Sequence, residues 1–111
     1  MSDRVLLTVN DGIATVTLNR ADKHNGMDFA LLDAVLAAQR ALKKRGDVRA
    51  AILRGDGPSF CAGLDLKSVF SSKTAMAAGL AAVWSPVRNR FQTWSIGWRE
   101  LPFPVIACIH G

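Results

Sequence analysis

The stretch AAILRGDGPSFCAGLDL, residues 50–66, joins a short apolar run to a turn and a glycine-containing segment. Residues 50–53 are apolar and are bounded by Asp47 and by the Gly/Pro turn at 55–58, so they are predicted to form a buried strand rather than a helix. Residues 59–66 follow this strand and its turn directly. This segment, just after a predicted strand and its Gly/Pro turn, is the first candidate for a functional site.

Two strands and a helix are predicted upstream of this stretch. The β-forming runs at residues 5–9 and 13–18 are separated by a turn signal at residues 10–12, which predicts a β-hairpin. Asp28 offers a side-chain oxygen to cap a helix, and Gly46 is predicted to end that helix. A strand, a helix and a second strand in this order imply a right-handed parallel crossover. The apolar stripe of the helix is predicted to consist of Phe29, Leu32, Leu36, Ala38 and Leu42.

The second half of the chain is predicted to be more helical. Residues 74–83 are rich in Ala, and the pair Ser85-Pro86 is typical of a helix start. Residues 102–104 end that second helix, and the uninterrupted apolar run 105–109 predicts a central parallel strand. The elements together predict an α/β fold with a mainly parallel sheet.

Aromatic residues recur along the second helix. The helical face is predicted to carry Val87, Phe91, Trp94, Trp98 and Leu101. Three tryptophans, counting Trp84, could suggest an aromatic ligand box. Packing in the core or between subunits explains a stripe at this spacing better.

Size and composition indicate a single soluble domain. The chain has 111 residues, of which 50% are hydrophobic and 21% charged, so disorder is not expected. No signal peptide or membrane span is apparent, which predicts an unexported, cytoplasmic protein without a membrane partner. Cys61 and Cys108 are therefore predicted to be reduced and buried, with no disulfide between them.

The net charge of +5 comes from 14 Lys and Arg against 9 Asp and Glu and should attract anions. The basic run at residues 43–45 is explained by a helix end, where cations interact favourably with the dipole, and phosphate recognition is the alternative. Nucleic acid is kept only as a second class of partner, because the sequence has no RNA-binding aromatic signature, zinc-ligand spacing or helix-turn-helix pattern.

Three segments of the chain resemble the crotonase superfamily, the enoyl-CoA hydratase/isomerase family. Residues 50–66 are similar to its first signature, residues 19–25 to its upstream coenzyme A loop, and residues 101–111 to the strand that introduces its second signature. The resemblance implies a crotonase-like ββα spiral, of which residues 1–111 would be the N-terminal part of a truncated domain. The upstream loop departs from the family pattern, with Ala21 where Pro is frequent and Gly26-Met27 in place of Ala-Leu.

The resemblance assigns an oxyanion donor to the backbone N–H of Leu64. Thioester chemistry at the α- or β-carbon places negative charge on the thioester oxygen, and one preorganised donor there contributes about 2.7 to 4 kcal/mol to transition-state stabilisation. Gly63 would let the backbone approach closely or take a positive φ. The alternative is a glycine-containing turn without a ligand.

Further residues are implied to contact coenzyme A. The backbone around Ala62, Asp65 and Leu66 would contact its adenine and pantetheine portions, although Asp65 could instead cap a helix. Lys23 and Arg20 would meet the nucleotide phosphates as exposed cations, and a solvated loop is the alternative.

Several polar residues are predicted to have no catalytic role. Family hydratases use two glutamates, but Glu100 is the only Glu in the chain and is interpreted as a surface helix residue. His24 and His110 lack an evident partner and are expected to be structural or solvent-exposed. Cys61 has no neighbouring base and is not expected to be a nucleophile.

The resemblance implies that the complete protein hydrates a 2-enoyl-CoA through an oxyanion-stabilised enolate. Enoyl-CoA isomerisation is the second hypothesis, and a noncatalytic fragment that binds coenzyme A or nucleic acid weakly is the third. The remaining catalytic groups would follow Gly111, so these 111 residues alone are expected to be inactive. An acyl- or enoyl-CoA substrate, no metal, flavin or nicotinamide cofactor, and a homotrimer or hexamer are expected.

Overall fold

The computed structural model describes residues 4–63 and 89–111, which form a mixed α/β structure. Its four-stranded sheet has the order β1-β2-β3-β4, in which β1 and β2 are antiparallel and the other neighbours are parallel. The mainly parallel sheet confirms the predicted fold class. The strands are β1 (Val5–Asn10), β2 (Ile13–Leu18), β3 (Ala50–Gly55) and β4 (Val105–Cys108).

The β-hairpin of β1 and β2 is confirmed. Its two turn residues, Asp11 and Gly12, have φ of 52° and 80°, so both central positions of the turn take positive φ. This backbone matches the twist of the flanking strands and is favoured by an Asp-Gly pair. The register pairs Asn10 with Ile13, as a two-residue turn requires.

The helix α1 (Phe29–Lys43) begins where the sequence predicts. Asp28 is extended, with φ of −96° and ψ of 179°, and its Oδ1 accepts a hydrogen bond from the Leu31 N–H at 2.8 Å. This side chain satisfies one of the amide groups that the first turn of a helix leaves without a partner. Because α1 connects β2 to the parallel strand β3, the crossover order of strand, helix and strand is also confirmed.

The face of α1 that contacts the sheet differs from the predicted stripe. Leu32 and Leu36 are buried but are not part of the cluster that packs on the sheet, and Phe29 is only half-buried. Apolar residues occupy almost every position of α1, so two adjacent faces satisfy the helical period and packing selects between them. The residues of α1 in the sheet core are Leu31, Ala34, Val35, Ala38 and Leu42.

The predicted role of Gly46 is wrong. The helix α1 ends at Lys43, and its C-terminal cap is Lys44 in the right-handed region, with φ of −89° and ψ of −8°. The last turn is closed by hydrogen bonds from Lys44 N–H to Ala41 O and from Arg45 N–H to Leu42 O. A tightened last turn satisfies these carbonyls without a glycine in the left-handed conformation.

The second described helix is shorter than predicted. Helix α2 (Asn89–Ile96) gives way to a 3₁₀ helix at Gly97–Glu100, so the predicted continuous helix up to Leu101 is wrong. The packing interpretation of the tryptophans is confirmed for Trp98, which lies in the core cluster with Leu101, and Trp94 packs against that cluster. Residues 74–83, Trp84, Ser85, Pro86 and Val87 lie outside the described residues, as does the side chain of Phe91, so their predicted roles stay predictions.

Strand β4 is parallel to β3, as predicted, and is the outermost of the four described strands. Ile106 on this strand is 58% exposed, because its side of the sheet carries no other described element. Cys108 is exposed for the same reason, and Cys61 is half-buried, so the prediction that both cysteines are buried is wrong. Both are free cysteines. Within the described ranges, no helix combines the length and the apolar character needed to cross a membrane.

Candidate functional site

Three segments meet beyond the carboxyl ends of the parallel strands. They are the upstream loop (residues 19–28) after β2, the glycine turn (residues 56–63) after β3, and the strand-end segment (residues 109–111) after β4. Parallel neighbours place their carboxyl ends at the same edge of the sheet, which is where ligands bind in open α/β folds. The structure therefore brings the segments of the candidate site together at one edge of the sheet.

The strand-end segment holds the middle of the glycine turn. The N–H of Phe60 donates to the carbonyl of His110 at 2.9 Å, and His110 Nε2 lies 3.0 Å from the carbonyl of Gly57. His24 in the upstream loop lies 3.1 Å through Nδ1 from the Ser59 hydroxyl. Both imidazoles are exposed, as expected, and both contact the glycine turn.

Asn25 joins the upstream loop to the glycine turn from the inside. The residue is 0% exposed, and its Oδ1 accepts a hydrogen bond from the N–H of Arg20 at 2.8 Å. The Nδ2 group has two hydrogens but lies within hydrogen-bond distance of three carbonyl acceptors, so at least one hydrogen is shared between two of them. The three acceptors are the carbonyls of Asp56, Ser59 and Phe60, each at 2.9 Å.

Close approach between the turn and Asn25 depends on Gly55. A Cβ at this position would meet the backbone of Phe60 and would lie 2.8 Å from Asn25 Nδ2. Any larger residue would push the glycine turn away from the carboxamide that holds it. Gly55 is the last residue of β3, so the strand leads directly into this contact.

Gly63 occupies the exposed end of the glycine turn. Its φ is 91°, a conformation that residues with a Cβ rarely adopt. Among the described residues other than its chain neighbours, no atom lies within 4 Å of the position a Cβ would take. Its carbonyl accepts a hydrogen bond from Met27 N–H at 2.7 Å, and its own N–H lies 3.4 Å from Cys61 Sγ. Of the two alternatives for this glycine, close approach or positive φ, the structure shows a positive φ.

Ala62 is exposed beside Gly63, but its N–H is already engaged. This N–H donates to the carbonyl of His24 at 2.9 Å. Cys61 Sγ contacts the carbonyl of Asn25 at 3.2 Å, so the thiol also bridges the two segments. A contact between Ala62 and coenzyme A therefore has to use atoms other than this N–H.

The expectation that Arg20 is an exposed cation is wrong. Its side chain is 7% exposed, its Nη1 donates to the carbonyl of Gly26 at 2.8 Å, and its Nη2 lies 3.6 Å from Asp28 Oδ2. Asp28 also accepts a hydrogen bond from Arg4 at 3.1 Å. A guanidinium with five planar donors can brace a loop from the inside, and this is what Arg20 does here.

Lys23 is exposed at the end of the short 3₁₀ helix Ala21–Lys23, which agrees with its predicted availability to an anion. Leu64, Asp65 and Leu66 lie outside the described residues, so their assigned roles remain predictions. Glu100 is a surface residue, as expected, 3.9 Å from the exposed Lys43. Within residues 4–63 and 89–111 no group of three or more His, Cys, Asp or Glu residues could hold a metal ion.

A surface ion pair away from this site perturbs two pKa values. The hydrogen bond from the Arg45 guanidinium holds the pKa of the Asp47 carboxyl below its ordinary 3.8, and the same hydrogen bond raises the pKa of Arg45. The distance between Arg45 Nη2 and Asp47 Oδ2 is 2.7 Å.

A pocket of about 330 Å³ also lies away from the site, near the start of β4. It is lined by Trp98, Arg99, Leu101, Phe103, Pro104 and Val105.

The mainly parallel sheet, with a supported glycine turn at its carboxyl edge, defines an α/β domain with a candidate ligand site at that edge. A family model for enoyl-CoA hydratase/isomerase matches residues 8–111. The chain therefore belongs to the enoyl-CoA hydratase/isomerase family, and the resemblance to the crotonase superfamily is confirmed.

Similar proteins include both hydratases and isomerases. The chain is 31% identical over 108 residues to (E)-benzylidenesuccinyl-CoA hydratase of Thauera aromatica, a match that covers 96% of this chain and 38% of the relative. It is 27% identical over 115 residues to 1,2-epoxyphenylacetyl-CoA isomerase of Escherichia coli, covering 100% of this chain and 41% of that protein. An enoyl-CoA hydratase structure from Mycobacterium smegmatis matches with a TM-score of 0.81 and 31% identity, covering 97% of this chain and 40% of that one. The chain thus spans about 40% of the length of the curated relatives it matches.

Asn25 is the residue that sequence reasoning missed. The pair Asn25-Gly26 is a turn signal, and Asn is among the residues that tolerate its observed φ of 56°. Its three carbonyl acceptors lie 31, 34 and 35 residues further along the chain. Local patterns carry no signal for hydrogen bonds at that separation.

Proposed function

We propose that these residues bind the coenzyme A part of an acyl- or enoyl-CoA, and that the complete protein hydrates a 2-enoyl-CoA. The observation that carries the proposal is Gly63, which is exposed with φ of 91° at the carboxyl edge of the sheet in a chain of this family. A turn of this kind can present a backbone N–H to a ligand without a side chain in the way.

The chemistry requires stabilisation of an enolate. Addition of water to the double bond places negative charge on the thioester oxygen, and a backbone N–H aimed at that oxygen stabilises the charge. We assign this donor to the N–H of Leu64, the residue after Gly63. The second donor and the groups that activate water and move protons would come from other parts of the complete protein.

Lys23 is the proposed contact for the phosphates of coenzyme A. It is exposed at the start of the bend that leads to His24 and Asn25, and those residues contact the glycine turn. A compact ammonium on a flexible stem acts as a point charge for phosphate. Asp65, Leu66 and the backbone around Ala62 are proposed to contact the adenine and pantetheine portions.

Isomerisation is the second candidate because the matched relatives include an isomerase. Movement of a double bond next to a thioester passes through the same kind of enolate, so the glycine turn would serve either reaction. The groups that move protons decide between them. A noncatalytic coenzyme A binder is the third candidate, since the exposed Lys23 and the glycine turn could bind coenzyme A without turnover.

Isothermal titration of the full-length protein with acetyl-CoA tests the proposal directly. We expect binding at micromolar to millimolar ligand, and undetectable binding at millimolar ligand would sink the proposal. Lys23→Ala should weaken binding by about two- to fivefold, the range for one exposed ionic contact, and more at low salt. The matched control is Lys43→Ala, an exposed lysine at the far end of α1, which should leave the Kd unchanged.

Two further assays test the assignment of the catalytic groups and the nucleic-acid alternative. These 111 residues alone are expected to give no turnover of crotonyl-CoA, and robust hydration by them would contradict the assignment of further catalytic groups to other parts of the protein. Salt-sensitive RNA binding without coenzyme A binding would favour a basic nucleic-acid binder instead. A cytoplasmic location, a homotrimer or hexamer, and no cofactor beyond the coenzyme A thioester complete the proposal.

A further inference from the structure

The upstream loop and the glycine turn run side by side and are connected along their whole contact. Besides the Asn25 carboxamide, two main-chain hydrogen bonds join them, from Ala62 N–H to His24 O at 2.9 Å and from Met27 N–H to Gly63 O at 2.7 Å. Asn25 lies between these two bonds in the sequence and is 0% exposed. Its buried carboxamide therefore lies in the same contact between the upstream loop and the glycine turn as these two hydrogen bonds.

The hydrogen bond to the Gly63 carbonyl constrains more than that carbonyl. A peptide unit is planar, so fixing the direction of a carbonyl restricts the amide nitrogen on the other side of the same peptide bond. The nitrogen that shares a peptide bond with the Gly63 carbonyl is that of Leu64, whose N–H is the proposed donor to the thioester oxygen. Met27 N–H thus holds one side of the peptide unit whose other side is the proposed donor.

Asn25 is suited to set the position of this unit. Its Nδ2 binds three carbonyls of the glycine turn, and its Oδ1 binds the N–H of Arg20 at the start of the upstream loop. Buried networks of this kind are rigid when every polar group has its partner. The carboxamide thus joins the same two segments that the hydrogen bond between Met27 and Gly63 joins.

We propose that Asn25 is a positioning residue for the oxyanion donor, acting through the glycine turn and not through contact with the thioester. This inference rests on the proposed function. Displacement of a reacting group by about 1 Å can cost on the order of a hundredfold in rate, so a residue that sets this geometry matters without touching substrate.

The test removes the carboxamide and keeps the backbone. Asn25 has φ of 56°, which glycine adopts without strain, so Asn25→Gly deletes the hydrogen bonds but not the turn conformation. The matched control is Gln39→Ala, which deletes another buried carboxamide, 6% exposed, whose Nε2 donates to the carbonyls of Thr93 and Trp94 away from the site. Both variants lose hydrogen bonds to main-chain carbonyls, so a general loss of stability appears in both.

Isotope-edited infrared spectroscopy of acetyl-CoA labelled with ¹³C at the thioester carbonyl measures the hydrogen bond from the donor to that carbonyl directly. In the full-length protein we expect the wild type to lower the carbonyl stretching frequency on binding, because a hydrogen-bond donor polarises the carbonyl. Asn25→Gly should lose at least about half of that shift at saturating ligand, and Gln39→Ala should keep it. Saturation removes the effect of weaker binding from the comparison.

Amide hydrogen exchange provides a second measurement that needs no ligand. The amides of Ala62 and Met27 should exchange at least about tenfold faster in Asn25→Gly, and those of the β-hairpin should not change. If Asn25→Gly does not fold, the wild type still tests the coupling, because acetyl-CoA should slow exchange at Ala62 and Met27 together and leave the β-hairpin unaffected.

The outcomes separate the two proposals. A wild-type protein that binds acetyl-CoA without a carbonyl shift contradicts the proposed function. A wild-type shift that Asn25→Gly retains in full, or unchanged exchange at Ala62 and Met27 in that variant, overturns the positioning role alone. In the wild type, ligand protection at one of these amides without the other also overturns it.

Discussion

Removal of the Asp28 carboxylate tests how the upstream loop is held in place. One carboxylate oxygen caps α1 through the Leu31 N–H at 2.8 Å, and the other lies 3.6 Å from Arg20 and 3.1 Å from Arg4. The same side chain therefore starts a helix and pairs with the arginine that braces the loop. Two substitutions can separate these contributions.

Asp28→Asn keeps a capping oxygen and removes the negative charge. Breaking a buried ion pair costs about 3 to 5 kcal/mol, but Arg20 keeps its hydrogen bond to Gly26 and its distance to Asp28 is long, so we expect a loss of about 2 kcal/mol. The Arg4 pair adds little, since the Arg4 side chain is 37% exposed. Asp28→Ala also removes the cap and should cost about 1 kcal/mol more.

Urea denaturation followed by circular dichroism measures both losses as changes in the free energy of unfolding. Asp22→Asn is the matched control, since it makes the same charge change at an exposed position of the upstream loop and should have little effect. If Asp28→Asn is as stable as the wild type while Asp28→Ala is not, the carboxylate acts only as a cap. The bracing role of the Arg20 pair would then be refuted.

Three further predictions concern the core, the glycine turn and the surface ion pair. Leu31→Ala should lower the free energy of unfolding by about 3 kcal/mol, because Leu31 is 0% exposed in the core. Leu6→Ala, at a residue of β1 that is 46% exposed, should cost less than about 1 kcal/mol, and equal losses in urea denaturation would contradict the burial of Leu31. Gly55→Ala should abolish acetyl-CoA binding in calorimetry, because its Cβ would meet the backbone of the glycine turn, and unchanged affinity would contradict that contact. The pKa of Asp47 is lowered, so its ion pair with Arg45 stabilises the fold above pH 3.8, and this stabilisation is lost as the pH falls through the lowered pKa. The difference in melting temperature between the wild type and Asp47→Asn should therefore vanish in acid. A difference that persists there would contradict the ion pair.

The elements with strong local signals could be predicted from the sequence. The Asp11-Gly12 pair specifies a two-residue hairpin turn, Asp28 specifies the start of α1, and the apolar run at residues 50–53 specifies a buried parallel strand. Each signal depends on the conformational preference of a few neighbouring residues. The segment after that strand was chosen as the candidate site from the same pattern, and its role stays a prediction.

Other features depended on packing between distant segments. Arg20 had the sequence context of an exposed loop cation, but it is buried because Asp28 and the Gly26 carbonyl lie within reach of its guanidinium. The helix α1 is apolar on two adjacent faces, so its periodicity alone could not specify which face meets the sheet. The change from α2 to a 3₁₀ helix at Gly97 likewise had no clear local signal.

The sequence by itself determined the order and type of most elements in the described ranges, because turns, caps and apolar periods act over a few residues. Only the tertiary structure decided that Asn25 joins the upstream loop to the glycine turn. Its hydrogen bonds reach carbonyls up to 35 residues away, and such contacts exist only after the parallel strands have brought their carboxyl ends together.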